Sequence, residues 1–145
     1  MSLILAKNIN EFKNFSYIDS KLMIYERNAP QGSVSFFKNL VKIDFSVNAE
    51  ISKFDTKNNI KSALSDVLSF EIKSSIFYEI WINDITHVCK IFCDIQNTSS
   101  ISMWIGSKRG CKRFHIDNVP QRLLVTYSGE GTESVSYTHL TLPTS

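Results

Sequence analysis

The 145 residues are enough for one domain with a single core, and a composition of 43% hydrophobic and 21% charged residues excludes a disordered chain. A net charge of +2 is too small to indicate nucleic-acid binding, and the three widely spread cysteines argue against a disulfide framework. The sequence shows no signal-peptide segment and no apolar run near the roughly 20 residues of a membrane span. We therefore expect a cytoplasmic protein that binds no membrane and no nucleic acid.

The first third of the chain predicts a strand, a turn and a helix. Apolar and polar residues alternate over 21–26, which is typical of a short strand. Residues 28–32 include a proline and a glycine and indicate a turn, after which Ser33 can cap a helix over about 34–46. The apolar stripe expected on this helix consists of Phe36, Phe37, Leu40, Val41 and Phe45.

Two further helical patterns follow. Asp55 or Thr56 can cap a helix over about 58–69. The segment 72–97 is either one long helix or two helices joined near its middle. Asp84 favours the break, because a carboxylate that caps a helix satisfies backbone N–H groups instead of lying on an apolar stripe. The face expected to point inward consists of Ile72, Ile76, Ile80, Asp84, Val88, Phe92 and Ile95 or Gln96, widened by Phe77, Trp81, Ile85 and Cys89.

The last third of the chain changes to a period of two residues and predicts strands. The segments 101–106, 113–117 and 122–127 alternate or are rich in β-branched and aromatic residues, and turn residues separate them. Helices that come first and antiparallel strands that follow indicate an α+β fold. We expect the strand over 122–127 to be poorly covered.

The pair His115-x-Asp117 is the main candidate for chemistry. On a strand, residues two apart point to the same side, so the imidazole and the carboxylate converge, as two ligands of a facial site for Fe(II) or another divalent metal require. A structural His–Asp pair is the alternative. On the predicted long helix, His87, Cys89 and Cys93 have no CxxC spacing, so core packing is favoured for them over a zinc site.

A longer pattern surrounds this pair over residues 111–133. It consists of Cys, two residues later Phe-His-x-Asp, then Arg-Leu-Leu, Thr-Tyr and Gly-x-Gly-Thr-Glu. The pattern resembles the core of the bacterial family known as domain of unknown function 1826, in which a Trp follows where this chain has Ser134. The resemblance is diffuse before about residue 60. The family has no established activity, so the resemblance does not decide whether the protein is an enzyme.

The resemblance also implies a ligand set and a fold. Members of the family typically continue with a further His, and that set is similar to the one in double-stranded β-helix oxygenases that use Fe(II) and 2-oxoglutarate. It therefore implies an incomplete cupin-like or jelly-roll-like fold with a small-molecule substrate. Arg122 and Tyr127 match family positions and can bind a carboxylate and hydrogen-bond near the metal, and Arg113 can hold an oxoacid.

The genes of this family often lie beside zinc-homeostasis genes. This keeps a second reading open, namely a non-catalytic binding or regulatory domain in which His115 pairs structurally with Asp117 or Asp117 with Arg122. Nothing in the residues identifies a protein partner.

The end of the chain breaks the pattern. The run VSYTHLTLPTS resembles the translation of a sequencing-library adapter, so we expect a truncated domain over 1–133 and a non-native tail over about 134–145. A Ser/Thr-rich tail with one short strand is the alternative. On the first reading the natural protein continues differently after Glu133, the distal ligand is missing, and strong metal binding by this chain is not expected.

Overall fold

The structure is a computed structural model, and it describes four stretches of the chain: residues 2–14, 21–107, 122–128 and 139–143. The chain divides into two compact units. The first unit consists of 1–37 and 111–145, and the second consists of 38–110. No helix in the described stretches is long and apolar enough to cross a membrane.

The first unit is built on a parallel four-stranded sheet. Its strands are β1 (Ser2–Leu5), β2 (Lys21–Ile24), β5 (Leu123–Thr126) and β6 (His139–Pro143), arranged in the order β1-β2-β6-β5. A 3-10 helix, Ile9–Asn14, follows β1 and buries Phe12 completely. The predicted strand over 21–26 is confirmed as β2.

Strand β2 is buried on both sides, and β5 is not. The neighbours Leu22 and Met23 point to opposite faces of β2, and both are buried, as is usual in parallel sheets. Strand β5 lies at the edge of the sheet, and its four residues are half-buried, in line with the expected poor cover. The expected antiparallel pairing is wrong for β5, which runs parallel to β6, because a period of two residues carries no information on strand direction.

The second unit packs helices on an antiparallel pair of strands. Strands β3 (Ser46–Ser52) and β4 (Ser100–Gly106) pair along their whole length, and α2 (Thr56–Leu64) packs against β3 and α4 (Ile76–Gln96). The predicted strand over 101–106 is confirmed as β4. The core of this unit consists of Leu40, Phe45, Ile51, Ile60, Leu64, Leu68, Tyr78, Trp81, Ile82, Ile85, Val88, Cys89, Ile91, Cys93 and Ile101.

The fold therefore contains both helices and strands, which confirms the general part of the α+β prediction. The double-stranded β-helix, which needs more strands than these two small sheets contain, stays a prediction. The predicted strand over 113–117 lies outside the described residues.

Helix α1 (Val34–Lys42) is shorter than the predicted helix over 34–46. The hydroxyl of Ser33, the residue directly before the helix, donates to the backbone oxygen of Pro30 at 2.6 Å and closes the turn. Residues 46–52 form β3, which was not predicted although its apolar residues alternate with polar ones in the manner of a strand. Phe37, Leu40 and Phe45 are buried as predicted, whereas Val41 is exposed.

Helix α2 begins at Thr56, close to the predicted start, but Asp55 makes no capping hydrogen bond with its side chain. The hydroxyl of Thr56 instead donates to the backbone oxygen of Ser52 at 2.7 Å and ties the helix to the end of β3. The helix ends at Leu64, before the predicted limit at residue 69, and turns at 65–68 lead to the short helix α3 (Phe70–Lys73).

Helix α4 is continuous from residue 76 to residue 96, so the predicted break before Asp84 is wrong. Asp84 lies in mid-helix and is half-buried. The helix ends at Asn97, which adopts a left-handed conformation with φ of 51°, and the N–H of Thr98 donates to the backbone oxygen of Cys93. This pair of features satisfies the last carbonyls of the helix.

The buried face of α4 is rotated relative to the predicted one at the start of the helix. Ile76 is 71% exposed and Ile80 is 37% exposed, although both were expected to point inward. The residues that are buried on this helix are Tyr78, Trp81, Ile82, Ile85, Val88, Cys89, Ile91 and Cys93.

The start of α4 depends on one hydroxyl. Ser75 accepts a hydrogen bond from the backbone N–H of Phe77 at 3.2 Å. We expect Ser75→Ala to lower the free energy of unfolding by about 1 kcal/mol, measured by urea denaturation, because the N–H of Phe77 loses its acceptor. Ser75→Asp should retain most of the stability, since a carboxylate accepts the same bond. Equal losses in both variants would contradict the capping role.

Candidate functional site

The predicted metal ligands His115 and Asp117 lie outside the described residues, and so does Arg113. The metal site built on them therefore stays a prediction. Within the described stretches, no group of three or more His, Cys, Asp or Glu side chains is placed to hold a metal ion.

Arg122 and Tyr127 stand at opposite ends of β5, and both are half-buried. The four residues of β5 lie between them, which in extended chain corresponds to roughly 16 Å between their Cα atoms. The roles expected for them in an oxoacid site stay predictions.

Tyr127 is part of an aromatic and cationic cluster. Its ring stacks on Phe37 with the ring centroids 5.6 Å apart and the planes 18° from parallel. The guanidinium of Arg27 lies over the Tyr127 ring, with Cζ 5.8 Å from the ring centroid. Such stacking orients a guanidinium, whose N–H groups suit a carboxylate. The cluster is thus a candidate anion-binding group.

The cluster forms because of the direction of the strands. Arg27 follows β2, Tyr127 follows β5, and both strands run parallel to β6, which lies between them. Both residues therefore come to the edge formed by the carboxyl ends of the strands, where ligands of open parallel sheets usually bind. Arg27 was not predicted as a site residue. The available signal was its position just after a predicted strand, which gains meaning only once the strand order is known.

Charged groups on the second unit are engaged with one another. Lys61 donates to Glu79 at 2.7 Å, and Lys57 lies 3.3 Å from the same carboxylate. The hydrogen bond from Lys61, followed by the one from Lys57, holds the pKa of the Glu79 carboxyl below its usual value. A general acid needs the opposite shift, so this carboxylate is not a candidate for one.

The two described cysteines are core residues, as expected, whereas the core packing also expected for His87 is wrong, because His87 is exposed. Cys89 and Cys93 are both buried, and Sγ of Cys89 lies 3.8 Å from Sδ of Met103. Burial raises the pKa of the Cys89 thiol to about 12, with a smaller contribution from Cys93. The thiol is therefore neutral at ordinary pH, which suits packing and does not suit metal ligation.

Comparison with known proteins places nearly the whole chain in one group. A family model described as "Protein of unknown function (DUF1826)" matches residues 7–142. The match thus includes residues 134–142 of the predicted tail, whose origin stays a prediction. No curated protein and no solved structure matches the chain.

Proposed function

The chain belongs to the DUF1826 family of proteins of unknown function, and we propose that the natural protein binds a divalent metal through His115 and Asp117. The observation that carries the proposal is this pair within the Cys-x-x-Phe-His-x-Asp pattern of residues 111–117. A strand turns both side chains to one side, and imidazole with carboxylate is a ligand set that Fe(II) accepts. The finer form of the proposal is a 2-oxoglutarate oxygenase with a double-stranded β-helix.

An oxoacid also needs a cation that binds its carboxylate. The cluster of Arg27, Tyr127 and Phe37 supports this part of the proposal, because its guanidinium lies at the carboxyl ends of parallel strands. These strands pair through β6, so this support belongs to the reading in which the tail over about 134–145 is native. Arg27 presents planar N–H donors in the geometry that a carboxylate accepts in pairs. We assign the oxoacid contact to Arg27 and Tyr127, and we leave Arg113 and Arg122 as further candidates.

Metal titration of the full-length natural protein tests the proposal. We expect the wild type to bind Fe(II) or Zn(II), measured by calorimetry without oxygen and by metal analysis, and His115→Ala to bind roughly tenfold to a hundredfold more weakly, because one ligand is lost. His87→Ala is the matched control, since His87 is exposed on α4, and its binding should equal that of the wild type.

Equal metal content in the wild type and His115→Ala would overturn the metal site. That result would favour a non-catalytic domain with a structural His–Asp pair, acting in zinc homeostasis. A separate titration with 2-oxoglutarate tests the anion contact: Arg27→Gln should weaken oxoacid binding and leave metal binding unchanged. Failure of this second titration alone would leave a metal protein without this cosubstrate.

A further inference from the structure

Trp104 lies flat on the outward face of the β3–β4 pair. Its indole Nε1–H donates to Oγ of Ser46 at 2.7 Å, so the ring is held in one orientation. The six-membered ring covers Gly106, where a Cβ atom would come within 2.8 Å of Cη2 of Trp104 and 2.9 Å of the backbone oxygen of Phe45. Glycine is required by this close approach. The indole nevertheless stays 40% exposed.

Polar side chains continue the same face. Asn48 is the register partner of Trp104, and the next pair along the face is Glu50 and Ser102, roughly 7 Å further along the strands. The hydroxyl of Ser102 donates to Oε1 of Glu50. All these side chains are exposed. A fixed aromatic surface therefore stands beside a row of hydrogen-bonding groups.

We propose that this surface, formed by Trp104, Ser46, Asn48, Glu50 and Ser102, is a binding site for a neutral saccharide. The C–H bonds on one face of a pyranose carry partial positive charge, and they pack on the negative π face of an indole. Sugar hydroxyls both donate and accept, which matches an amide, a carboxylate and serine hydroxyls. Because the indole is already fixed by Ser46 and Gly106, little side-chain freedom is lost on binding.

The charge of the surface selects this ligand over nucleic acid, which also stacks on aromatic rings. Strands β3 and β4 carry no lysine or arginine, and their one charged residue is Glu50. Binding of a phosphate backbone depends on cationic side chains. The carboxylate of Glu50, at one end of the surface, repels phosphates, whereas it accepts hydrogen bonds from sugar hydroxyls.

Titrations with cellohexaose, chitohexaose and maltohexaose test the proposal. The readout is the indole N–H resonance of Trp104 in nitrogen-15 spectra, with the buried Trp81 as internal reference. We expect at least one of the three to shift the Trp104 signal with a Kd of about 1 mM or tighter. Binding followed by calorimetry should weaken by roughly tenfold or more in Trp104→Ala.

Two further variants separate the site from general effects. Ser46→Ala keeps the tryptophan but releases the indole, so it should weaken saccharide binding without unfolding the protein. Phe54→Ala removes an aromatic ring that is 82% exposed in the turn after β3, and it should bind like the wild type. The proposal is overturned if none of the three saccharides shifts the Trp104 resonance. A labelled oligothymidylate is titrated in parallel. The proposal is also overturned if this nucleic acid shifts the Trp104 resonance and none of the three saccharides does.

Discussion

Replacement of Ile82 by alanine is expected to lower the free energy of unfolding by about 2–5 kcal/mol, measured by urea denaturation. Ile82 is 0% exposed on the face of α4 that packs in the core of the second unit. The shortened side chain leaves a cavity, and the neighbouring helix and strands cannot close it without losing their own contacts. We expect this to be among the most destabilising single changes in the chain.

The matched control makes the same substitution on the same helix. Ile76→Ala should change the free energy of unfolding by no more than about 0.5 kcal/mol, because Ile76 is 71% exposed. The comparison separates the observed face of α4 from the predicted one, which placed Ile76 inward. Larger destabilisation by Ile76→Ala than by Ile82→Ala would mean that the predicted face is the buried one.

The existence of α4 could be predicted from the sequence, and its orientation at the start could not. The isoleucines at 72, 76 and 80 recur every four residues, and the buried row at 78, 82 and 85 recurs after four and then three residues. Both spacings are helical, so both faces look apolar. Which face is buried depends on α2 and β4, which pack against the helix. The break expected before Asp84 failed for a related reason, since a single carboxylate does not outweigh a helix already capped by Ser75.

The strands show the same division between local and distant information. The alternation over 101–106 predicted β4. The same alternation runs through β3, where Val47, Ala49 and Ile51 stand between polar residues, but no strand was predicted there. The partner of a strand is a long-range property. Strand β2 pairs with β6 more than a hundred residues away, and the direction of that pairing is what brings Arg27 to Tyr127.

The candidate site also combines features that the local sequence predicts with features that only the fold shows. The spacing of His115 and Asp117 alone predicts that their side chains converge, because residues two apart on any strand point to the same side. The positions of Arg122 and Tyr127 at opposite ends of a strand also follow from the prediction over 122–127, and β5 confirms that strand. Trp104 carried no motif at all. Its role as a surface depends on Gly106 and Ser46, of which the second is reached only through the pairing of β3 with β4.

High pH is expected to destabilise the protein through Cys89. Burial raises the pKa of this thiol from 9.0 to about 12. Between these values the native state keeps a proton that the unfolded chain has lost, so stability is complete below about pH 9 and falls as pH rises towards 12. A difference of about three pKa units corresponds to at most about 4 kcal/mol. Urea denaturation between about pH 8 and pH 11 measures the loss.

The variant Cys89→Ala isolates this contribution, because the tyrosines and lysines that also titrate at high pH are common to both proteins. At neutral pH the variant should be less stable, since alanine loses the contact with Met103. The difference should shrink above about pH 9 and change sign as the wild type approaches pH 12. Val88→Ala is the control, because Val88 is a buried neighbour on α4 with no titratable group, and its effect should stay constant with pH. An effect of Cys89→Ala that is equally constant with pH would contradict the prediction. The thiol would then ionise in the native state as easily as in the unfolded chain. In that case α4 would have to open near Cys89 without unfolding the rest of the second unit.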